Sequence, residues 1–228
     1  MVKIVLFDID GTLIRSGGAG VLAFGKALET EFDLPHAAKG LQFAGRTDTG
    51  LLREVLGRHR LEASEENYAR FFSSYVHWLS HLLTQTRGEI CPGIPHLIGD
   101  LKRLARPPLV GLLTGNIRLG AEIKLRHFHL WDYFETGAFA DDHEDRNRIS
   151  AAARDRASAL LGVELAGEEI VVIGDTPLDI ECARAIGAKS LAVATGGFNQ
   201  AQLEAHEPTW LVDNLARVEA AEICGSVR

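Results

Sequence analysis

Six short runs of apolar and β-branched residues limit the folds that are open to this chain. They lie at 2–7, 109–113, 134–139, 170–174, 190–194 and 209–212, and the run at 134–139 is the weakest. Most are continuously apolar rather than alternating, which is typical of strands buried on both faces of a parallel sheet. Helical patterns separate the later runs, at 94–105, 118–128, 146–161 and 178–186. This alternation predicts a doubly wound, Rossmann-like α/β fold with a parallel sheet.

Residues 16–87 interrupt the alternation, because no convincing strand pattern occurs among them. Amphipathic helical patterns cover about 19–31, 47–59 and 65–85 instead. Ser64 followed by two glutamates is typical of a helix start, with a capping hydroxyl and acidic side chains at the positive end of the helix dipole. Glycines flank the stretch on both sides. The sequence therefore predicts a helical domain at 16–87, inserted into an α/β core made of 1–15 and 88–228.

Length, charge and cysteine content exclude several classes of protein. The 228 residues suffice for one large domain, or for a domain with a modest insert. A net charge of −7 argues against a nucleic-acid or membrane-surface partner. No apolar run reaches the ~18 residues of a membrane span, and Asp8 and Asp10 interrupt the opening run too early for a signal peptide. Three widely spaced cysteines favour a reducing compartment over a disulfide framework or a zinc site, so we expect a cytoplasmic protein.

Polar residues follow three of the predicted strands directly. They are Asp8, Asp10, Gly11 and Thr12 after the first strand, Thr114, Gly115 and Asn116 after the second, and Asp175, Thr176 and Asp179 after the fourth. The carboxyl ends of parallel strands meet at one edge of the sheet, where ligands bind in open α/β folds. Four carboxylates there would repel one another by roughly 4 kcal/mol per pair at ~4 Å. A hard cation with oxygen ligands relieves that repulsion, and Mg²⁺ fits best. The edge is predicted to bind a metal and an anion together.

The segments DIDGTL at 8–13, Thr114-Gly115-Asn116, and GDTPLD at 174–179 resemble the haloacid dehalogenase-like hydrolases. The resemblance covers nearly the whole chain, and the helical insert is similar to that family's C1-type cap. It implies a magnesium-dependent phosphatase that acts on a small phosphorylated metabolite. The plain alternative is that Asp10-Gly11 only closes a turn, but that interpretation does not account for the other two motifs.

The resemblance also implies a role for each motif residue. Asp8 would attack phosphorus and form an aspartyl-phosphate. Asp10 would protonate the leaving oxygen and later take a proton from water, while its backbone carbonyl binds the metal. Asp175 would complete the metal site, with Asp179 as a ligand or as a neighbour of one. Thr114 and the two residues after it would hold the phosphoryl oxygens.

The sequence departs from the family at one position. The family usually places a lysine between its second and last motifs, and no lysine lies between Lys124 and Lys189. Arg146, at the start of a predicted helix, is the preferred replacement, with Arg148 as the alternative, because arginine keeps the charge and can grip phosphate in bidentate fashion. Arg46, in a loop of the insert, is expected either to face the substrate or to be solvated at a helix start.

Several functions stay open at this level. A sugar phosphomutase of the same family shares the strand-end residues and differs in its cap contacts. A dehalogenase needs no second acid such as Asp10, and a C–P hydrolase would use a cap lysine, for which Lys26 and Lys39 offer no specific support. A catalytically silent binding protein is the alternative from another class. A helical cap that closes over the site favours small soluble phosphates, and phosphoglycolate is the first candidate by resemblance.

Overall fold

The computed structural model describes residues 1–225, and these contain eight strands and nine α-helices. The strands are β1 (Ile4–Phe7), β2 (Ile14–Arg15), β3 (Glu89–Ile90), β4 (Leu109–Leu113), β5 (Thr136–Ala138), β6 (Ile170–Gly174), β7 (Lys189–Val193) and β8 (Trp210–Val212). The helices are α1 (Ala19–Phe32), α2 (Asp48–Arg58), α3 (Glu65–Leu83), α4 (Ile94–Arg103), α5 (Arg118–His127), α6 (Arg146–Leu161), α7 (Pro177–Ala185), α8 (Gln200–Glu204) and α9 (Ala220–Cys224).

Six of the strands form one parallel sheet in the order β5-β4-β1-β6-β7-β8. Alternate residues of β1 enter different hydrophobic cores. Val5 and Phe7 pack with residues of α4, α5 and α9, whereas Ile4 and Leu6 pack with residues of α6 and α7 on the opposite face. Because both faces are covered, both sets of side chains must be apolar, which explains the continuous runs in the sequence. The predicted doubly wound α/β fold is confirmed.

Helices α1, α2 and α3 share a third hydrophobic cluster, which lies outside the two sheet cores. Its centre contains Phe24, Phe71 and Tyr75, with Phe24 and Phe71 in edge-to-face contact at 4.7 Å. Burying a side chain of this size stabilises the fold by about 1.5–3 kcal/mol. Ser64 caps α3 as expected, because its hydroxyl accepts a hydrogen bond from the Asn67 amide at 3.3 Å. The three helices thus hold together through contacts largely of their own.

A short antiparallel ribbon joins the two ends of this helical segment. Ile14 of β2 pairs with Ile90 of β3, and Arg15 pairs with Glu89. The sequence patterns did not indicate this ribbon, because two-residue strands leave no periodicity. It brings the entry and exit of the segment side by side above the sheet.

The strands β4, β1 and β6 are neighbours in the middle of the sheet. Their carboxyl ends therefore lie next to each other, and the residues that follow them share one edge. None of the helices among residues 1–225 is long and apolar enough to cross a membrane.

Candidate active site

Three carboxylates converge at the carboxyl edge of the sheet. Asp8 follows β1, Asp175 follows β6, and Asp179 lies in the first turn of α7. One oxygen from each lies within 4.8 Å of the others, and all three side chains are buried. At ~4 Å and an effective dielectric constant near 20, each like-charged pair costs roughly 4 kcal/mol. The fold tolerates this cluster only if protons or cations compensate the charge.

The titration behaviour of the cluster reflects that conflict. Burial, followed by the charge of Asp179, raises the pKa of Asp8 to about 7, although Arg146 acts in the opposite direction. Burial and the neighbouring carboxylates of Asp179 and Asp8 raise the pKa of Asp175 well above its usual range. A divalent cation among these oxygens would lower both pKa values, because it favours the charged forms.

The donor set fits a hard divalent cation such as Mg²⁺. The three clustered side chains offer only carboxylate oxygens, and neighbouring groups fix their orientation. The Thr12 hydroxyl donates to Asp175 Oδ1 at 3.0 Å. Both the backbone amide and the hydroxyl of Thr176 donate to Asp179 Oδ2, at 2.9 and 2.7 Å. Gly11 allows Asp175 to approach the backbone after β1, since a Cβ atom there would lie 2.4 Å from Asp175 Oδ2.

Arg146 supplies the positive charge beside the cluster. It is the first residue of α6, and its Nη2 atom lies 3.5 Å from Asp8 Oδ1 and contacts Asp179 Oδ1. Its Nη1 atom donates to the carbonyl of Gly45 at 3.1 Å. Burial alone would lower the pKa of Arg146, but the two carboxylates outweigh burial and raise it. Arg148 points to the surface instead, so of the two candidate arginines only Arg146 reaches the cluster.

Asp10 takes part in a separate network with a residue that the sequence analysis missed. Lys124 Nζ donates to Asp10 Oδ2 at 2.5 Å and to Asn116 Oδ1 at 2.6 Å. Asn116 Nδ2 in turn donates to Asp10 Oδ2 at 2.9 Å and to Thr114 Oγ1 at 2.8 Å. The Asp10 side chain is 42% exposed, whereas that of Lys124 is 4% exposed. Asp10 is thus held at a fixed position while it remains open to the pocket.

One sequence signal could have identified Lys124. It falls in the buried stripe of α5, with Ala121 three residues before it and Leu125 one residue after it. A lysine in such a stripe needs a buried partner. The partners are distant in sequence, so the pattern indicates that an acidic group is present without identifying it.

The helical segment closes over this edge through the start of α2. The backbone amide of Asp48 donates to the Gly115 carbonyl at 2.7 Å, and Asp48 Oδ2 accepts from the Ile117 amide at 2.9 Å. Gly115 permits this close contact, because a Cβ atom there would lie 2.2 Å from the carbonyl oxygen of Arg46. The Thr47 hydroxyl donates to the carbonyl of Glu144 at 3.0 Å. Two loops of the core therefore contact a single turn of the helical segment.

A pocket of about 390 Å³ lies between the sheet edge and the helical segment. Its lining includes eight of the residues that the sequence analysis selected: Asp8, Asp10, Arg46, Thr114, Gly115, Asn116, Arg146 and Asp175. Asp179, which the sequence analysis also selected, lies behind this lining, where it contacts Arg146 and Thr176. Arg46 reaches the pocket while its Nη1 atom pairs with Glu54 at 2.5 Å. The structure thus gathers the selected residues in and directly behind one pocket.

The arrangement can perform one kind of chemistry particularly well. A buried carboxylate, a second carboxylate two residues later, a buried arginine and a carboxylate cluster that could hold a cation all meet at one pocket. These are the groups that phosphoryl transfer requires, since its catalysis consists mainly of positioning and electrostatic stabilisation.

Comparison with known proteins gives an independent result. The phosphoglycolate phosphatase of Neisseria meningitidis is 30% identical over 95% of this chain and 92% of its own length. Pyrophosphatase PpaX of Bacillus cereus is 24% identical over 94% of both chains. In fold, the chain matches the crystal structure of β-phosphoglucomutase from Clostridium difficile, with a TM-score of 0.73 and 19% identity over 99% of this chain and 97% of that one.

Residues 5–193 match the family described as haloacid dehalogenase-like hydrolase. That range includes all three strand ends at the pocket. Because the family match covers most of the sequence and the Neisseria relative aligns over nearly all of it, the chain belongs to the haloacid dehalogenase-like hydrolases.

Proposed function

We propose that this chain is a magnesium-dependent phosphatase that hydrolyses small-molecule phosphate monoesters through an aspartyl-phosphate intermediate. The observation that carries the proposal is the position of Asp8 in the pocket floor, between the Arg146 guanidinium and two further carboxylates. An arginine and a cation site on either side of one carboxylate are suited to a phosphoryl group, whose oxygens need positive charge around them.

The residues of this chain account for both halves of the reaction. In the first half, an Asp8 oxygen bonds to phosphorus while the bond from phosphorus to the ester oxygen breaks, and Asp10 gives a proton to that oxygen. In the second half, a water oxygen bonds to phosphorus while the bond from phosphorus to the Asp8 oxygen breaks, and the water gives a proton to Asp10. Phosphate is thereby released and the Asp8 carboxylate is restored. The hydrogen bonds from Lys124 and Asn116 keep Asp10 in place for both proton transfers.

Arg146, Thr114 and the backbone after Thr114 are proposed to hold the phosphoryl oxygens. The carboxylates of Asp8, Asp175 and Asp179 would hold Mg²⁺, together with the Asp10 carbonyl that the family resemblance implies. The ion, when bound, would offset the charges of the carboxylates and of the phosphoryl oxygens.

We further propose that 16–87 is a cap domain on a core of 1–15 and 88–228. The separate hydrophobic cluster of α1–α3 and the ribbon that joins the ends of the segment support this division. The hydrogen bonds of Asp48 to the loop after β4 would then belong to the closed state. A cytoplasmic location is part of the proposal, and the three cysteines, which are free and buried, support it.

Phosphate release from aryl and metabolite phosphates tests the proposal. We expect activity with Mg²⁺, loss of activity with EDTA, and recovery when Mg²⁺ is added back. Asp8→Asn should lower kcat by ~10³-fold or more, because the amide is a poor nucleophile. Asp132→Asn is the control, since that carboxylate is 90% exposed and does not line the pocket. Full activity in Asp8→Asn would reject the assigned nucleophile, and no release from any ester would favour a silent binding protein.

The phosphomutase alternative is separated by its product. A phosphatase releases inorganic phosphate from a sugar phosphate, whereas a mutase returns an isomer of that sugar phosphate. The likeness to β-phosphoglucomutase is one of fold and does not favour the mutase. The relative named phosphoglycolate phosphatase supports including phosphoglycolate among the first substrates tested.

A further inference from the structure

The pocket has two chemically different halves. The floor, at the sheet edge, is polar and contains the groups proposed for phosphoryl transfer. The opposite wall comes from the helical segment and is largely apolar, with Val21, Phe24, Phe43, Leu51 and Tyr75. A phosphate ester whose phosphoryl group lies on the floor would direct its leaving group toward this wall. The wall would therefore contact the leaving group.

Phe43 is the partly exposed ring of the wall, and it packs on the buried rings behind it. Phe43 packs edge-to-face on Phe24, with 5.3 Å between ring centroids, and Phe24 also contacts Tyr75 at 6.2 Å. Val21 is 45% exposed although it lines the pocket. An apolar leaving group placed here gains about fourfold in affinity for each buried methylene.

The basic residues of the floor already have anionic or carbonyl partners. Arg146 contacts Asp8 and Asp179, and Lys124 pairs with Asp10 and the side-chain carbonyl of Asn116. Arg146 is needed for the phosphoryl oxygens in the proposed function. Neither cation is therefore available for a second anionic group on the leaving group.

The basic residues at the pocket mouth are also engaged. Arg15 donates twice to the Thr195 carbonyl, at 2.9 and 2.7 Å, and pairs with Glu89 at 2.8 Å. Arg46 pairs with Glu54 at 2.5 Å. To bind a charged leaving group, either arginine would have to give up a carboxylate partner that it already has.

A carboxylate on the wall disfavours an anion, and the phenol beside it supplies no positive charge. Asp48 is buried in the lining, and burial raises its pKa to about 6, so it is mostly ionised at neutral pH. Burial raises the pKa of Tyr75 well above 10, so its phenol stays neutral and offers a hydrogen bond without a charge. A carboxylate or a second phosphate on the leaving group would thus meet a carboxylate and no free cation.

We infer that the preferred substrates are phosphate monoesters of uncharged, predominantly apolar alcohols, rather than phosphoglycolate, sugar phosphates or pyrophosphate. The inference rests on the proposed phosphatase function and specifies the substrate class of the same site.

Two matched esters isolate the charge of the leaving group. Benzyl phosphate and 4-carboxybenzyl phosphate have the same ring and the same ester linkage, and they differ in one carboxylate. Phosphoglycolate, glucose 6-phosphate and pyrophosphate complete the panel. With the full-length protein and Mg²⁺, we expect kcat/KM for benzyl phosphate to exceed that for every other compound by about tenfold or more.

Two phenylalanine variants test whether the wall is responsible. Phe43→Ala removes a ring from the pocket lining, whereas Phe72→Ala removes a similarly half-buried ring of the same cluster that does not line the pocket. We expect Phe43→Ala to lower kcat/KM for benzyl phosphate about tenfold while leaving that for phosphoglycolate within about twofold. Phe72→Ala should leave the ratio of the two substrates unchanged, and thermal unfolding checks that both variants fold.

The outcomes separate this inference from the function on which it rests. A kcat/KM for 4-carboxybenzyl phosphate, phosphoglycolate, glucose 6-phosphate or pyrophosphate equal to or above that for benzyl phosphate overturns the inference and leaves the phosphatase intact. If folded Phe43→Ala keeps the parent's ratio of kcat/KM for benzyl phosphate to kcat/KM for phosphoglycolate, the wall does not select the leaving group. Absence of phosphate release from the whole panel overturns the proposed function, and the inference with it.

Discussion

Arg146→Ala removes the cation that Asp8 and Asp179 share. Nη2 lies 3.5 Å from Asp8 Oδ1, and at an effective dielectric constant near 20 that pair is worth about 5 kcal/mol before desolvation. All three side chains are less than one-tenth exposed, so water provides little screening. Because burial of the guanidinium offsets part of the attraction, we expect a net loss of about 3–5 kcal/mol in the free energy of unfolding. In a chain of this size that lowers Tm by roughly 10 °C.

The same substitution should remove most of the activity. A buried arginine beside the nucleophile is proposed to hold the phosphoryl oxygens, and arginines in comparable roles contribute ~10³-fold or more to kcat. Arg146→Lys keeps the charge but offers a single nitrogen where two now make contacts, so we expect intermediate activity. Arg148→Ala is the matched control, since Arg148 lies two residues further along α6 and is exposed.

Phosphate release at saturating Mg²⁺ measures the catalytic effect, and thermal unfolding of the same samples measures stability. Activity should be assayed well below the lowered Tm, so that loss of fold does not imitate loss of catalysis. Near-normal turnover in folded Arg146→Ala would refute the assignment. Equal losses in Arg146→Ala and Arg148→Ala would also refute it, because the exposed residue has no contact with the cluster.

Two further variants test the other buried charges. Lys124→Met should lower kcat about 10–100-fold with little change in KM, because Asp10 loses a contact that positions it. The loss in the free energy of unfolding should be only about 1–2 kcal/mol, since Asp10 is partly exposed to water. An unchanged kcat would contradict the role of Lys124 in positioning Asp10. Asp48 has a pKa of about 6 in the folded chain against 3.8 in the unfolded chain, so its contribution to stability is present below about pH 4 and is lost as the pH rises through 6. Asp48→Asn keeps an acceptor for the Ile117 amide but has no such pH dependence. We therefore expect the free energy of unfolding of Asp48→Asn, measured by urea unfolding relative to the parent, to be about 2–3 kcal/mol more favourable at pH 7 than at pH 4. Curves of stability against pH that run parallel for the two proteins would contradict this.

The sheet could be predicted from the sequence because its signals are local. The runs around β1, β4 and β6 are apolar on both faces, and each ends in polar residues that meet at one edge. The same logic selected Asp8, Thr114 and Asp175. The predicted first strand began two residues too early, since β1 begins at Ile4 and the Val2 amide donates to the carbonyl of Cys224 rather than to a strand of the sheet.

The long-range contacts around the pocket could not be predicted in the same way. Lys124 pairs with Asp10 across 114 residues, and Asp48 of the helical segment accepts from Ile117 across 69. Such pairs depend on how distant elements pack against one another, and no local pattern encodes that arrangement. Arg46 shows the same limit, because its pairing with Glu54 follows only from where α2 begins.

The charge balance of the pocket supports the proposal of a divalent cation beside Asp8. Five carboxylates, those of Asp8, Asp10, Asp48, Asp175 and Asp179, lie in or directly behind the lining, and Lys124 and Arg146 are their basic partners. Arg15 and Arg46 also line the pocket, but they pair with Glu89 and Glu54. Full ionisation of the five carboxylates, Lys124 and Arg146 therefore leaves an excess of three negative charges, before a phosphate ester adds its own. Protons can relieve that excess, and burial together with the neighbouring carboxylates raises the pKa values of Asp8 and Asp175. A proton on Asp8, however, blocks attack on phosphorus, whereas a divalent cation relieves the same repulsion and leaves the carboxylate free to react.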